Sequence, residues 1–285
     1  MNQVLSIGDS LAADLVGALV AIVFGYLLLQ HQNRGLARLL GAQSGRRILL
    51  VLPNMRIRPG GTEGPYREKG YVGQAVTLAE FESAVLLRDS LADPLARLLG
   101  RHRLFDSSGN VGESGAVEAT IQCPPDDVLA TAFMQHSFGD LPSEIANRNL
   151  VLFGGPIYNG LARLAFSHPS VQMIPELPDG GEWGVTIVTG PQRDQFFRGR
   201  DHKVPRELAL IQSFPAREAD GVTVTVCAGT GDAATLASAR FLVANWRKLS
   251  RNALGKPFAV LLSVELSTGL TQWMMALADG RPFVL

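Results

Sequence analysis

The chain has 285 residues, with 26 Lys and Arg balanced by 26 Asp and Glu; this even charge gives no support for bulk nucleic-acid binding, and no direct binding to duplex DNA or RNA is expected. Its two cysteines, Cys123 and Cys227, are far apart, with no CxxC pair and no histidine at metal-ligand spacing, so a reduced, disulfide-free domain without a metal centre is expected.

Residues 11–29, LAADLVGALVAIVFGYLLL, are the only apolar run long enough to cross a bilayer. As a helix they span roughly 28 Å, close to a hydrocarbon core of about 30 Å. A cleaved signal peptide would need a basic n-region and a small-residue cleavage site, and a buried core helix would seldom be apolar all round. Asp9 and Asp14 precede the run, whereas Arg34, Arg38, Arg46 and Arg47 follow it. The positive-inside rule then predicts a single pass through the cytoplasmic membrane, N-terminus outside and C-terminal domain in the cytoplasm. Ala13, Gly17, Ala21 and Gly25 recur every four residues on one helix face, which predicts close helix–helix association and a homo-oligomer.

The opening VLSIGDSLA resembles the first block of the GDSL hydrolases, with Ser10 in the nucleophile position, but the GxND and DxxH blocks of that family are absent. Ser10 is instead read as the N-cap of the membrane helix. The expected organisation is residues 1–30 as N-terminal segment and transmembrane helix, 31–46 as a basic juxtamembrane connector, and 47–285 as one cytosolic domain. Within the connector, Leu36, Leu39 and Leu40 suggest an amphipathic turn on the lipid surface.

RILLVLP at 47–53 has the continuous apolar character of a strand buried on both faces. The Gly-, Pro- and Arg-rich loop 54–74 follows, and then a helix opened by the capping box Thr77–Glu80, with a second short helix after Pro94. Further on, a weak strand at 116–123, a short helix at 126–136, a strand at 150–153 and a helix at 159–166 are expected. Strands at 171–174, 184–188, 207–214, 222–227 and 257–264, a long Ala- and Ser-rich helix after residue 231, and a C-terminal hairpin turning at Asp279-Gly280 complete the chain. Apolar strands alternating with helices imply an α/β fold, Rossmann-like, with a mainly parallel sheet, helices on both faces and an antiparallel edge.

Two strand-to-helix turns are rich in glycine. The first contains Gly154, Gly155 and Asn159; the second, Gly229-Thr230-Gly231, begins a G-x-G-x-x-A pattern between a strand and a helix. Such turns let backbone N–H groups approach a phosphate at a helix N-terminus. Arg193, Arg198 and Arg200, in a basic loop, are the cations available to close over a small anionic ligand. The dinucleotide pattern is incomplete, because the acid expected about 20 residues later is missing and Asp232 stands inside the loop.

The transmembrane helix, the FGGP and AGTG turns and the α/β pattern together resemble single-pass membrane effectors of prokaryotic antiviral signalling with a cytosolic nucleotide sensor of CARF or SLOG type. The resemblance implies a nucleotide or cyclic oligonucleotide ligand, a dimeric sensor and membrane disruption as output. Two other classes stay open: a membrane-tethered nucleotide-processing hydrolase using Glu265 or Glu82, and a scaffold whose turns bind nothing.

Overall fold

The computed structural model describes residues 2–42, 47–53, 55–57, 73–92, 119–123, 137–157, 159–178, 181–199, 205–216 and 221–285; at 2–14, 55–57 and 73–75 it describes the backbone alone. The chain begins with α1 (Asn2–Leu39), one unbroken helix. Its start at Asn2 puts Ser10 inside the helix, not at its N-cap. Within it, Leu15–Leu39 is long and apolar enough to cross a membrane, and from Leu15 to Leu29 the large apolar side chains are exposed, Leu15 at 72% and Ile22 at 70%.

Beyond that stretch the same helix enters the domain. Leu36 and Leu40 are 2% and 1% exposed, packed in one core with α2 (Leu78–Leu91) and α3, the long helix Asp232–Ala253. The expected connector lying on lipid is therefore corrected: Leu36 and Leu40 are buried against α2 and α3, and Leu39 packs against the same core. The helix stops at Gly41, which has φ +83. Gly41 N–H donates to Arg38 O and Ala42 N–H to Ala37 O, the paired bonds of a Schellman cap.

The main sheet has eight strands: β1 (Ile48–Val51), β2 (Ala119–Gln122), β3 (Asn149–Phe153), β4 (Arg206–Ala216), β5 (Val222–Gly229), β6 (Phe258–Glu265), β7 (Thr271–Ala278) and β8 (Arg281–Pro282). Their order is β8-β7-β6-β4-β5-β3-β1-β2. The strands β2, β1, β3 and β5 are mutually parallel; from β5 across to β8 every pairing is antiparallel. The sheet is thus mixed, and its antiparallel part is not confined to an edge: β4 and β5 pair as neighbours in the middle. A short return between two long apolar strands forces antiparallel pairing, whereas β1 and β3 are separated by enough chain for crossovers.

Both faces of this sheet are covered, which explains the unbroken burial of β1 and β3. One face carries α2, α3 and the end of α1. The other carries the short helix α4 (Gly160–Phe166), the segment 138–146 and a small antiparallel sheet of Met173–Glu176, Gly184–Ile187 and Phe196–Arg198. The expected capping box forms: Glu80 N–H donates to Thr77 Oγ1 and Thr77 N–H to Glu80 Oε2. Ala234, Ala237, Ser238 and Ala239 let α3 approach the strands closely. Asp279 and Gly280, at φ 52 and 73, close the C-terminal hairpin as an Asp-Gly turn does. Cys123 and Cys227 form no disulfide, and burial pushes the Cys227 thiol up to about 12. A small hairpin, Met55–Ile57 with Gly73–Ala75, flanks the expected loop, whose residues 54 and 58–72 lie outside the described residues, as do the expected helices after Pro94 and at 126–136.

The parallel strands begin where α1 ends. A Cβ on Gly41 would stand 2.3 Å from Thr223 Oγ1 and 2.6 Å from Asn149 Oδ1, at the starts of β5 and β3. Gly255, at φ +77, has the same backbone requirement but open space around it. Gly255→Ala is expected to cost about 1 kcal/mol from conformation alone. Gly41→Ala should cost clearly more, since its methyl group also displaces two side chains. Urea unfolding of the full chain in detergent checks this; equal losses would show that the Thr223 and Asn149 contacts yield freely.

Candidate functional site

The two glycine turns lie side by side. Phe153 pairs with Cys227 in the parallel ladder, and Gly154 N–H donates to Cys227 O at 3.1 Å, so β3 and β5 reach their turns together. The chain then leaves β3 for α4 on one face and leaves β5 for α3 on the other. Opposite departures from adjacent parallel strands mark a topological switch point, the crevice position at which open α/β sheets bind ligands. This edge is opposite the one that receives α1.

Gly154 has φ +84, and a Cβ there would come within 2.4 Å of Glu80 Oε1, so the position needs glycine twice over. Gly155 faces open space. Asn159 is fully buried and builds the turn: its Oδ1 accepts from the N–H groups of Leu161 and Ala162, and its Nδ2 donates to Phe153 O. From Pro156 a groove of about 520 Å³ runs along α4, lined further by Arg163, Phe166, His168 and Val188.

The second turn is built differently from a phosphate loop. Gly229 allows close packing, since a Cβ would lie 2.5 Å from the Cβ of Ala234. Thr230 extends the β4–β5 pairing: its N–H donates to Leu208 O and its Oγ1 accepts from Leu208 N–H. Gly231 is extended at φ −165, and a Cβ on it would meet the Glu207 carboxylate at 2.1 Å. That carboxylate, buried at the start of β4, accepts the Ala234 N–H at 2.9 Å. A side chain of the protein thus takes a first-turn amide of α3, as an anion would. By sequence Glu207 is only the head of a strand; its one local sign is an acid directly before the apolar run Leu208–Ile211.

Arg198 ends the third strand of the small sheet and is exposed, and the next residue, Gly199, lies against Thr230, where a Cβ would be 2.9 Å from Cγ2. Arg193 is not brought to the glycine turns. Its loop begins at Gly190, packed on Gly280 after β7, at the edge where the parallel strands begin. Arg193 there has only a 3.7 Å approach to Asp194, both side chains being exposed. Arg200 lies outside the described residues, as does His202.

The crevice is acidic on the α2 and α3 side. The Asp232 charge acts on Glu80, and Glu207 takes the Ala234 amide; among the described residues no three groups of metal-ligand type are placed to hold an ion. Burial holds the Glu80 carboxyl above its ordinary 4.5; hydrogen bonds with Thr77 pull it down, and the charge of Asp232 pushes it further up. Glu82 is exposed on α2, and Glu265 accepts from Ser267 Oγ at 3.0 Å and Thr268 Oγ1 at 2.8 Å, closing the turn after β6. Neither carboxylate enters the crevice. Comparison with models of known protein families, with curated proteins and with solved structures gave no match.

The folded chain retains a proton on Glu80 that the unfolded chain has released once pH passes 4.5, so this group makes stability fall as pH rises through that window. Glu80→Gln keeps an oxygen for capping and removes the titration. Relative to the wild type, the variant should gain melting temperature as pH rises above the ordinary 4.5, until Glu80 ionises in the folded chain as well. A difference that does not change with pH would show that Glu80 ionises normally.

Proposed function

We propose that this chain is a membrane-anchored receptor: α1 crosses the cytoplasmic membrane and the α/β domain, on the cytoplasmic side, takes a nucleotide-like ligand in the crevice between the Gly154-Gly155 and Gly229-Thr230-Gly231 turns. The observation that carries the reading is the departure of two adjacent glycine turns to opposite faces of the sheet. Arg198, the exposed neighbour of the Gly199 that packs on Thr230, is the proposed cation for a phosphate. Asp232 and Glu80 supply acceptors for ribose hydroxyls, the role acids take at such crevices. Because Glu207 already takes the Ala234 amide, the phosphate sits toward Gly155 and Arg198, not on the α3 N-terminus.

The anchor is supported by a helix whose apolar stretch is entirely outside the packed domain, and its orientation by Arg34 and Arg38 behind that stretch. Output through association of α1 is supported by its small face, where Gly17 and Gly25 have nothing within 4 Å. This is the arrangement of a signalling effector of antiviral type: ligand on the domain, response in the membrane.

Protease added to intact cells should leave the α/β domain uncut, and permeabilised cells should allow its cleavage; digestion from outside would reverse the orientation. For the ligand, full-length protein in nanodiscs is melted with a panel of mono-, di- and cyclic oligonucleotides. At least one should raise the melting temperature and be recovered chemically unchanged. Arg198→Ala should weaken its binding roughly tenfold or more with little effect on folding. Stabilisation by none, or identical affinity in Arg198→Ala, would overturn the ligand site, and turnover would make the protein an enzyme.

A further inference from the structure

A second groove, of about 390 Å³, lies between α1 and α3 at the other edge of the domain. Leu27, His31, Arg34 and Arg38 line it from α1, and Trp246 and Ser250 from α3. The four α1 residues are spaced by four, three and four, so they form one stripe along the helix. Read away from the apolar stretch, the stripe passes from a leucine through an imidazole to two guanidinium groups. No acid lines the groove, and neither arginine has an ion pair among the described residues.

Depth along the helix gives this stripe its meaning. The exposed apolar residues of α1 end at Leu29. At about 1.5 Å per residue, His31 lies roughly 3 Å and Arg34 roughly 7 Å beyond that point. The headgroup layer outside the hydrocarbon is roughly 5–8 Å thick on each side. Helical side chains tilt toward the helix N-terminus, which for α1 is the membrane side, so Arg34 and Arg38 lean back toward that layer. Trp246 forms the wall opposite. Its ring is seated on Gly35, where a Cβ would lie 2.0 Å away, and Arg247 stacks on it at 5.4 Å. Indole rings favour the headgroup level, where their apolar body and polar tip are both satisfied.

We infer that the groove between α1 and α3 is a binding site for the headgroup of an anionic phospholipid, with Arg34 and Arg38 on the phosphate, Trp246 against the glycerol region and Leu27 at the acyl chains. The inference rests on α1 crossing a membrane. The chemistry recognised is a phosphate ester held by guanidinium groups, which a soluble phosphate ester shares; the apolar end at Leu27 commits the site to a lipid.

The test uses the full chain in nanodiscs of phosphatidylcholine with or without phosphatidylglycerol. The anionic lipid should raise the melting temperature, and mass spectrometry of detergent-extracted protein should find it retained over phosphatidylcholine by roughly 25-fold, about fivefold per arginine. Arg34→Gln with Arg38→Gln should abolish both effects. Lys248→Gln with Arg251→Gln, equal in charge change but outside the groove lining, should leave them intact. Equal retention of the two lipids, or undiminished preference in the double variant, would overturn the site. Glycerol phosphate reproducing the stabilisation in pure phosphatidylcholine would overturn the lipid assignment in favour of a soluble ester. Flotation with phosphatidylcholine vesicles reads the anchor separately: protein that fails to float overturns the membrane reading, and floating protein indifferent to phosphatidylglycerol overturns the headgroup site alone.

Discussion

The seat of Trp246 on Gly35 is the contact that joins the two parts of this protein. Any side chain at residue 35 would collide with the indole, so glycine there lets α1 approach α3 closely enough for Leu36 and Leu40 to be buried. The helix that carries the exposed apolar stretch is thereby part of the domain core and not a tether. Asn33 reinforces the junction by donating to the carbonyl of Ala92 at the end of α2. One helix thus belongs to two environments, with a change of surroundings within a few residues of Leu29 and no change of secondary structure.

The helix α3 links that junction to the opposite edge of the sheet. Its 22 residues span roughly 33 Å. Its first turn is held by Glu207 beside the glycine crevice, and Trp246 and Ser250 sit against α1. Its alanine-rich half lies close on the sheet because Gly229 opposes Ala234 without a Cβ. The glycine pattern that reads as a phosphate loop is thus demanded by helix–strand packing and by the Glu207 carboxylate.

Electrostatics divides the molecule in the same way. At the glycine turns, buried Glu80 and Glu207 and the nearby Asp232 make the α2 and α3 side acidic. At the α1 junction the lining carries His31, Arg34 and Arg38 and no acid. A net charge of zero conceals this separation. Burial makes the acidic cluster costly, and the protein meets that cost with hydrogen bonds, Thr77 to Glu80 and Ala234 to Glu207.

What the sequence determined by itself was local. The apolar stretch of α1, the Thr77–Glu80 capping box, the buried strands at β1 and β3, the turn from β3 into α4 and the Asp279-Gly280 turn all follow from residues within a few positions of one another. What only the tertiary structure decided was pairing between distant segments. The insertion of the β4–β5 hairpin between β3 and β6, the burial of Leu36 and Leu40, the Glu207 carboxylate at the start of α3, and the packing of Gly199 on Thr230 but of Gly190 on Gly280 at the far edge all join residues that no local pattern connects. The physical reason is that an apolar strand or helix states how much surface it must bury, whereas its partner is settled by the competition among all surfaces in the folded chain.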